Sequence, residues 1–267
     1  MRYRRGAAIA ALVFAFVHSA HAAFERAPLD PESAALGGIL AASTDAVFGN
    51  PAAWLRSDAP RLAGWVARPF GLPELDEAQA SAAWRAQRFG AGFGARRFGG
   101  AGYVEREARA TLAWLATPDV AIGAAVRGLV VDVEDLDAVR SAAVDAAFRL
   151  RVDARTEIGV VAEALAGELA GDDSTRRRRT SLGAVHSGDR LSIYLEAQKR
   201  DEEELIGVVG ISCRPWPALA VHGGLREIPS LFAWGITVRS RSVAVDLAVE
   251  NVEGLGTTIR VGIAAGR

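Results

Sequence analysis

The 267-residue chain contains one cysteine, one methionine, one lysine and three tyrosines. Cys213 has no partner with which to close an internal disulfide, so a disulfide framework is excluded. Of four histidines, His18 and His21 fall in the first 22 residues, leaving His186 and His222 beside Cys213 as too little material for a zinc site. A basic excess is missing as well. Lys and Arg number 31 against 32 Asp and Glu, which argues against nucleic acid as a partner, because such proteins present a net basic face. No cofactor is implied. Nor does any segment reach the roughly 20 apolar residues that a membrane-spanning helix needs.

What is present begins with MRYRRGAAIAALVFAFVHSAHA, residues 1–22. Arg2, Arg4 and Arg5 form a basic start, Gly6 to Val17 is apolar, and Ala20-His21-Ala22 is a small-x-small site. This pattern predicts a cleaved signal peptide, with cleavage before Ala23. Without those three arginines the mature chain has 28 basic and 32 acidic side chains. The division that follows is a signal over 1–22, an N-terminal segment over 23–60 and a strand-rich region over 61–267.

Beyond about residue 60 the sequence alternates with period two. Val144, Ala146, Phe148, Leu150 and Val152 share one face, while Asp145, Ala147, Arg149, Arg151 and Asp153 share the other. Such a strand has one face in an apolar medium and one in a polar medium. Fourteen segments read this way, near 61–70, 79–88, 89–97, 105–116, 120–131, 143–153, 157–166, 178–187, 191–199, 205–214, 218–227, 231–239, 242–250 and 257–266. The first, eighth and tenth alternate poorly, so twelve or sixteen strands also fit. Short links (TPD, DART, SGD, RPWP, SRS) take turns with longer ones such as GLPELDEA, RFGGAGYVE, DVEDLDAVRS and NVEGLG. That parity is the habit of a transmembrane antiparallel barrel, all-β and with about 14 strands here.

A soluble sandwich also uses regularly spaced strands. Against it, the apolar face is largely Ala, Val and Gly, and the opposite face repeatedly carries arginine with acids, as a wetted lumen would. Trp65, Trp84, Trp114 and Trp234 lie within strands, where anchors at the membrane boundary belong. In hydrocarbon an unpaired backbone amide costs several kcal/mol, so a sheet spans only when closed. The predicted strands have the required 9–11 residues.

By phase, Arg96, Arg109, Arg149, Arg151, Arg226, Arg239, Asp145, Glu163 and Asp246 point into the lumen, as ladders of ion pairs across strands; an anion-selective constriction is the sharper reading. The run Arg176 to Arg179 reads as a solvated loop face that could meet lipopolysaccharide phosphates. Gly90, Gly92 and Gly94 fall on one face of the third strand. They either make room for something pressed against the wall or kink it into a lateral gate.

A fourteen-strand barrel is too wide for its own side chains to fill. The mature residues before the first strand, 23–60, are placed to plug it. They include ALGGILAASTDAVFGNPAAWL, in which Gly37, Gly38 and the alanines allow close packing and Asn50-Pro51 marks a turn or helix start. Ala35, Leu36, Gly37, Gly38, Asp45, Phe48, Asn50, Pro51 and Ala52 resemble the N-terminal motif of the FadL/PorV-type outer-membrane barrels, in which A-L-G-G and then N-P-A precede the first strand. The resemblance covers about 20 residues. It implies a fourteen-stranded barrel with its N-terminal segment folded into the lumen, in the bacterial outer membrane. Phe48, Asn50, Pro51 and Ala52, with Gly92 and Gly94 of the wall, are the candidate plug or ligand positions. Some members of the family pass fatty acids or other hydrophobic molecules, and others serve protein secretion.

His186-Ser187 sits beside a tight turn with the two side chains on opposite faces, badly arranged for a nucleophile and base. His222 faces the polar side with no nucleophile implied. The sequence therefore predicts no enzyme. It predicts passage of a small, hydrophobic molecule, or alternatively a non-conducting scaffold for a secretion or surface-attachment system. The expected partners are outer-membrane lipid and lipopolysaccharide, the barrel-assembly machinery and a small hydrophobic ligand.

Overall fold

A computed structural model describes residues 29–56, 61–166, 178–200 and 204–266. The expected signal peptide, residues 23–28 and 57–60 of the N-terminal segment, and Arg176 and Arg177 of the basic run lie outside the described residues. The rest is a closed antiparallel barrel in which each strand pairs with its neighbours in sequence and the first pairs with the last.

The strands are β1 (Arg61–Arg68), β2 (Glu77–Ala86), β3 (Phe89–Gly100), β4 (Tyr103–Thr117), β5 (Val120–Val133), β6 (Val139–Arg151) and β7 (Thr156–Ala166). They continue with β8 (Arg179–Ser187), β9 (Leu191–Arg200), β10 (Ile206–Trp216), β11 (Leu219–Arg226), β12 (Leu231–Arg239), β13 (Val243–Val252) and β14 (Gly256–Ala265). Of the counts the sequence left open, fourteen is the one observed. The seam runs from Leu62↔Ala265 to Arg68↔Ile259, so neither end strand keeps a free edge. An even strand number brings both ends of the barrel chain to one mouth.

Closure sorts the two faces. Large apolar side chains point away from the axis, with Leu112 at 69% and Leu62 at 62% exposure. Arg109 and Arg260, at 1% and 0%, point inward and are buried. This inverts a soluble protein, which would bury the leucines and expose the arginines.

Three expectations need correction. Trp84, Trp114 and Trp234 are on the outer face, but Trp65 points inward at 4% exposure and stacks beneath the Arg260 guanidinium, 4.9 Å from its ring. Arg179 is not part of a loop face. It is an inward residue of β8, paired with Glu163 of β7. Two of the longer links also shrink. RFGGAGYVE is mostly strand, leaving residues 101–102 as the turn between β3 and β4, and NVEGLG leaves residues 253–255. Glycine weakens strand propensity but does not forbid pairing, and here the ladder continues through Gly99 and Gly100.

Candidate functional site: the lumen

Residues 29–54 lie among the inward side chains, almost all buried. Their backbone starts with one short helix, α1 (Pro31–Ala35), because Asp30 caps it by accepting the Ser33 N–H at 2.7 Å and Pro31 occupies its first turn. Gly37 and Gly38 end it in the left-handed region, φ 86° and 95°, and the Gly38 N–H reaches back to the Ser33 carbonyl. A side chain at Gly37 would press on the Leu225 backbone. Farther on, Asn50 donates from Nδ2 to the Ala41 carbonyl at 2.6 Å and accepts the Ala52 N–H at 2.8 Å. Asn50-Pro51 is thus a side-chain-closed turn into Ala52 and Ala53.

Most of this segment is irregular, so its buried amides need partners that no ladder supplies. The wall supplies them. Glu196 of β9 accepts the Leu40 N–H at 2.9 Å and the Ala41 N–H at 2.8 Å, and Gln198 donates to the Gly38 carbonyl at 2.9 Å. Arg109 of β4 donates to the Val47 and Phe48 carbonyls at 3.0 and 3.1 Å. Arg149 of β6 donates to the Ser43 carbonyl at 2.7 Å, and Arg85 to that of Trp54 at 3.2 Å. Such charge-assisted bonds are each worth roughly 1.5–3 kcal/mol.

Arg109 and Arg149 are also neutralised by wall acids. Arg109 crosses over β5 to meet Asp145 of β6 at 3.0 Å and reaches as far as Glu163 of β7 at 3.4 Å. Arg127 meets Asp145 at 2.7 Å and Arg149 meets Glu157 at 2.8 Å. At the mouth opposite the chain ends, Arg96 meets Glu77 at 2.6 Å, and Arg260 bridges Glu250 at 2.8 Å and Glu77 at 3.1 Å. Phe70, from the β1–β2 link, closes over that end, packing on Leu231 and Val252 while its N–H donates to Thr258 Oγ1 at 3.1 Å. At the other mouth a cavity of about 480 Å³ remains, lined by Asp45, Trp54, Arg61, Tyr194 and Arg239 among others.

Among the other sequence-predicted positions, Phe48 is fully buried, with the Arg109 guanidinium 5.5 Å from its ring. Its ring fills the space where a side chain on Gly94 would stand; Val47 does so at Gly92, and Trp54 at Gly90. Arg151 is a half-exposed residue near the same mouth as the cavity, 3.6 Å from Glu157. Arg226 lies beside Gly38, and Arg239 is 3.8 Å from Glu32 of α1. Asp246 accepts from Thr237 Oγ1 at 2.6 Å, and Thr237 bonds His222 Nε2 at 3.0 Å. That relay places a hydroxyl between His222 and its acid. His186 bonds Thr156 Oγ1 at the strand ends.

Sequence reasoning missed the double duty of the arginines and the carboxylate cradle at Glu196. A faint signal existed, since Gly159, Gly210 and Gly224 are further inward glycines on which the segment backbone lies directly.

No family model matches this sequence, and no curated protein matches it. Solved structures do. The CymD monoaromatic hydrocarbon channel superposes with a TM-score of 0.68 at 12% identity, covering 92% of this chain and 99% of the other. The Pseudomonas putida toluene transporter TodX gives 0.65 at 10% identity, over 91% and 98%. A Pseudomonas aeruginosa FadL homologue gives 0.60 at 12%, over 88% and 96%. At these identities the shared property is the fold. This chain has the barrel architecture of FadL-like outer-membrane proteins.

Proposed function

We propose that this protein is a passive outer-membrane channel for small molecules, hydrophobic ones in particular, with residues 23–60 as its stopper. The observation that carries the reading is the division of labour in the lumen. A closed wall with an apolar outside is complete without the N-terminal segment, while the segment depends on Glu196, Arg109 and Arg149 of the wall for its hydrogen bonds. A part that borrows its bonds from a self-sufficient frame can move without unfolding the frame. The hydrophobic substrate class is supported by the hydrocarbon channels whose architecture the chain shares, and by Trp54, Val47 and Ala53 lining the cavity at the mouth near the chain ends. On this reading, that mouth is periplasmic, the short links face the cell interior, and the barrel-assembly machinery inserts the chain.

Liposome swelling and planar-bilayer recording, each with the mature chain and with a deletion of residues 29–56, test it. The expected result is low, gated conductance for the intact chain and a stable open pore for the deletion, with faster entry of a toluene-sized probe into vesicles. Removing the segment exposes lumen charges together with apolar wall side chains such as Leu115, Val161, Val185 and Val208, but no strand pairing of the closed ladder runs through it, so the wall is expected to survive. Silence in both forms, with no probe uptake, would overturn the channel and favour a scaffold for a secretion or surface-attachment system.

A further inference from the structure

The outer wall carries a second feature that the lumen does not use. The register aligns Arg97 of β3 opposite Arg106 of β4, Arg106 opposite Val130 of β5, and Val130 opposite Arg140 of β6. All three arginines are exposed on the outward face, within a few residues of the turns at the mouth opposite the chain ends. Neighbouring strands are about 4.8 Å apart, so the row spans roughly 15 Å. Like charges directly opposed across a pair destabilise it. Only one carboxylate, Asp132, forms an ion pair with the row among the described residues, and it pairs with Arg106. Arg97 spends one donor on the Gly99 carbonyl. Exposed Glu134, Asp135 and Asp137 follow in the next turn, but no ion pair joins them to the row among the described residues.

One step along the strands toward the other mouth, the outward positions shrink. Ala95 lies opposite Ala108, Ala108 opposite Gly128, and Gly128 opposite Ala142. The wall is concave there, forming a groove of about 1180 Å³ that the arginine row borders. Beyond it the face is apolar again, with Phe93 and Val126 exposed. Three fork-shaped cations above an apolar trough match an amphiphile whose head carries phosphate and whose tails are acyl chains.

We propose that this face is a specific seat for a phosphorylated outer-leaflet glycolipid, the lipid A portion of lipopolysaccharide. Its phosphates are held by Arg97, Arg106 and Arg140, and an acyl chain lies along the groove at Ala108 and Gly128. The inference rests on the reading of the barrel as an outer-membrane span whose terminal mouth is periplasmic, and it makes no use of conduction.

The test is native mass spectrometry of the full mature chain in detergent, titrated with diphosphoryl lipid A and with its dephosphorylated form, with folding verified by heat-modifiable migration. The intact chain is expected to retain the diphosphoryl form at least about tenfold more tightly, as one charge-assisted contact alone would give. Arg97→Gln/Arg106→Gln/Arg140→Gln is expected to abolish that preference while leaving the heat-modifiable fold intact. Ala108→Leu/Gly128→Leu, which fills the groove, is expected to weaken both forms. Equal binding of the two lipids, or full preference in the triple variant, overturns the proposal. A dimer that the groove-filling pair dissociates would also overturn it, because the groove would then be an interface between copies of this chain. Failure of the channel reading would appear as absent conductance with lipid preference intact.

Discussion

At the scale of single residues, period-two phase sorts a strand's side chains onto two faces, and Arg109, Arg149 and Asp145 are buried. Phase could not say what each one meets. Arg109 was legible as a lumen charge, but its bonds to the Val47 and Phe48 carbonyls depend on how an irregular segment threads the barrel, and no periodicity encodes that. Trp65 escaped because an aromatic on a strand reads the same in either direction, and its inward partner, the Arg260 guanidinium stacked over its ring, lies on a strand distant in sequence. Gly94 gives a sharp test at this scale. A side chain there would overlap the Phe48 ring, with Val47 also in contact. Gly94→Val is therefore expected to destabilise the folded form by roughly 1–3 kcal/mol through overpacking and to make the N-terminal segment more sensitive to protease. Ala95→Val, one residue along and exposed on the outer face, is expected to stay within about 0.5 kcal/mol. Denaturant midpoints and limited proteolysis of the two variants, measured side by side, check the contrast.

At the scale of elements, the strands were the most readable part, because each repeats its signal over at least four residues per face. Links were read less well, since glycine-rich and polar residues at a strand end are compatible with both ladder and loop; β3 and β4 kept pairing to within two residues of each other. The β1–β2 link, residues 69–76, stayed long, and it carries Phe70 over the mouth opposite the chain ends. Its far end is tied down by Asp76, which accepts from Arg68 Nε at 2.8 Å and Nη2 at 3.1 Å. That hydrogen bond, helped by the charges of Arg68 and Arg97, holds the Asp76 carboxyl below the ordinary carboxylate range. A folded-state value depressed in this way contributes stability above the unfolded value, and the contribution is lost as pH falls through the folded one. On the channel reading proposed above, acidification is therefore expected to loosen the link and raise the open probability below the normal carboxylate range. Asp76→Asn is expected to show the looser behaviour already at neutral pH and to flatten the dependence. Bilayer recordings across an acid series distinguish the two.

At the scale of the whole molecule, the behaviour of the barrel depends on which solvent touches its outer face. The register closes the sheet and leaves a belt of exposed apolar side chains, Leu112 the most exposed of them. In water, such a belt would be an aggregation surface; in hydrocarbon it is the face that belongs there, because the closed ladder pairs each strand with both neighbours and leaves no free edge. The two solvents give opposite predictions for one substitution. Replacing an exposed leucine with arginine on a water-soluble barrel is close to neutral or helps solubility, whereas arginine on the lipid face of a transmembrane barrel costs about 2–4 kcal/mol near the midplane. Leu112 lies near the middle of the fifteen-residue β4, so Leu112→Arg is expected to lower stability in phospholipid vesicles by that amount. Leu112→Ala should change it far less. Equilibrium unfolding of the refolded barrel in vesicles measures the difference, and an arginine variant as stable as the alanine one would mean that water, not lipid, surrounds this wall.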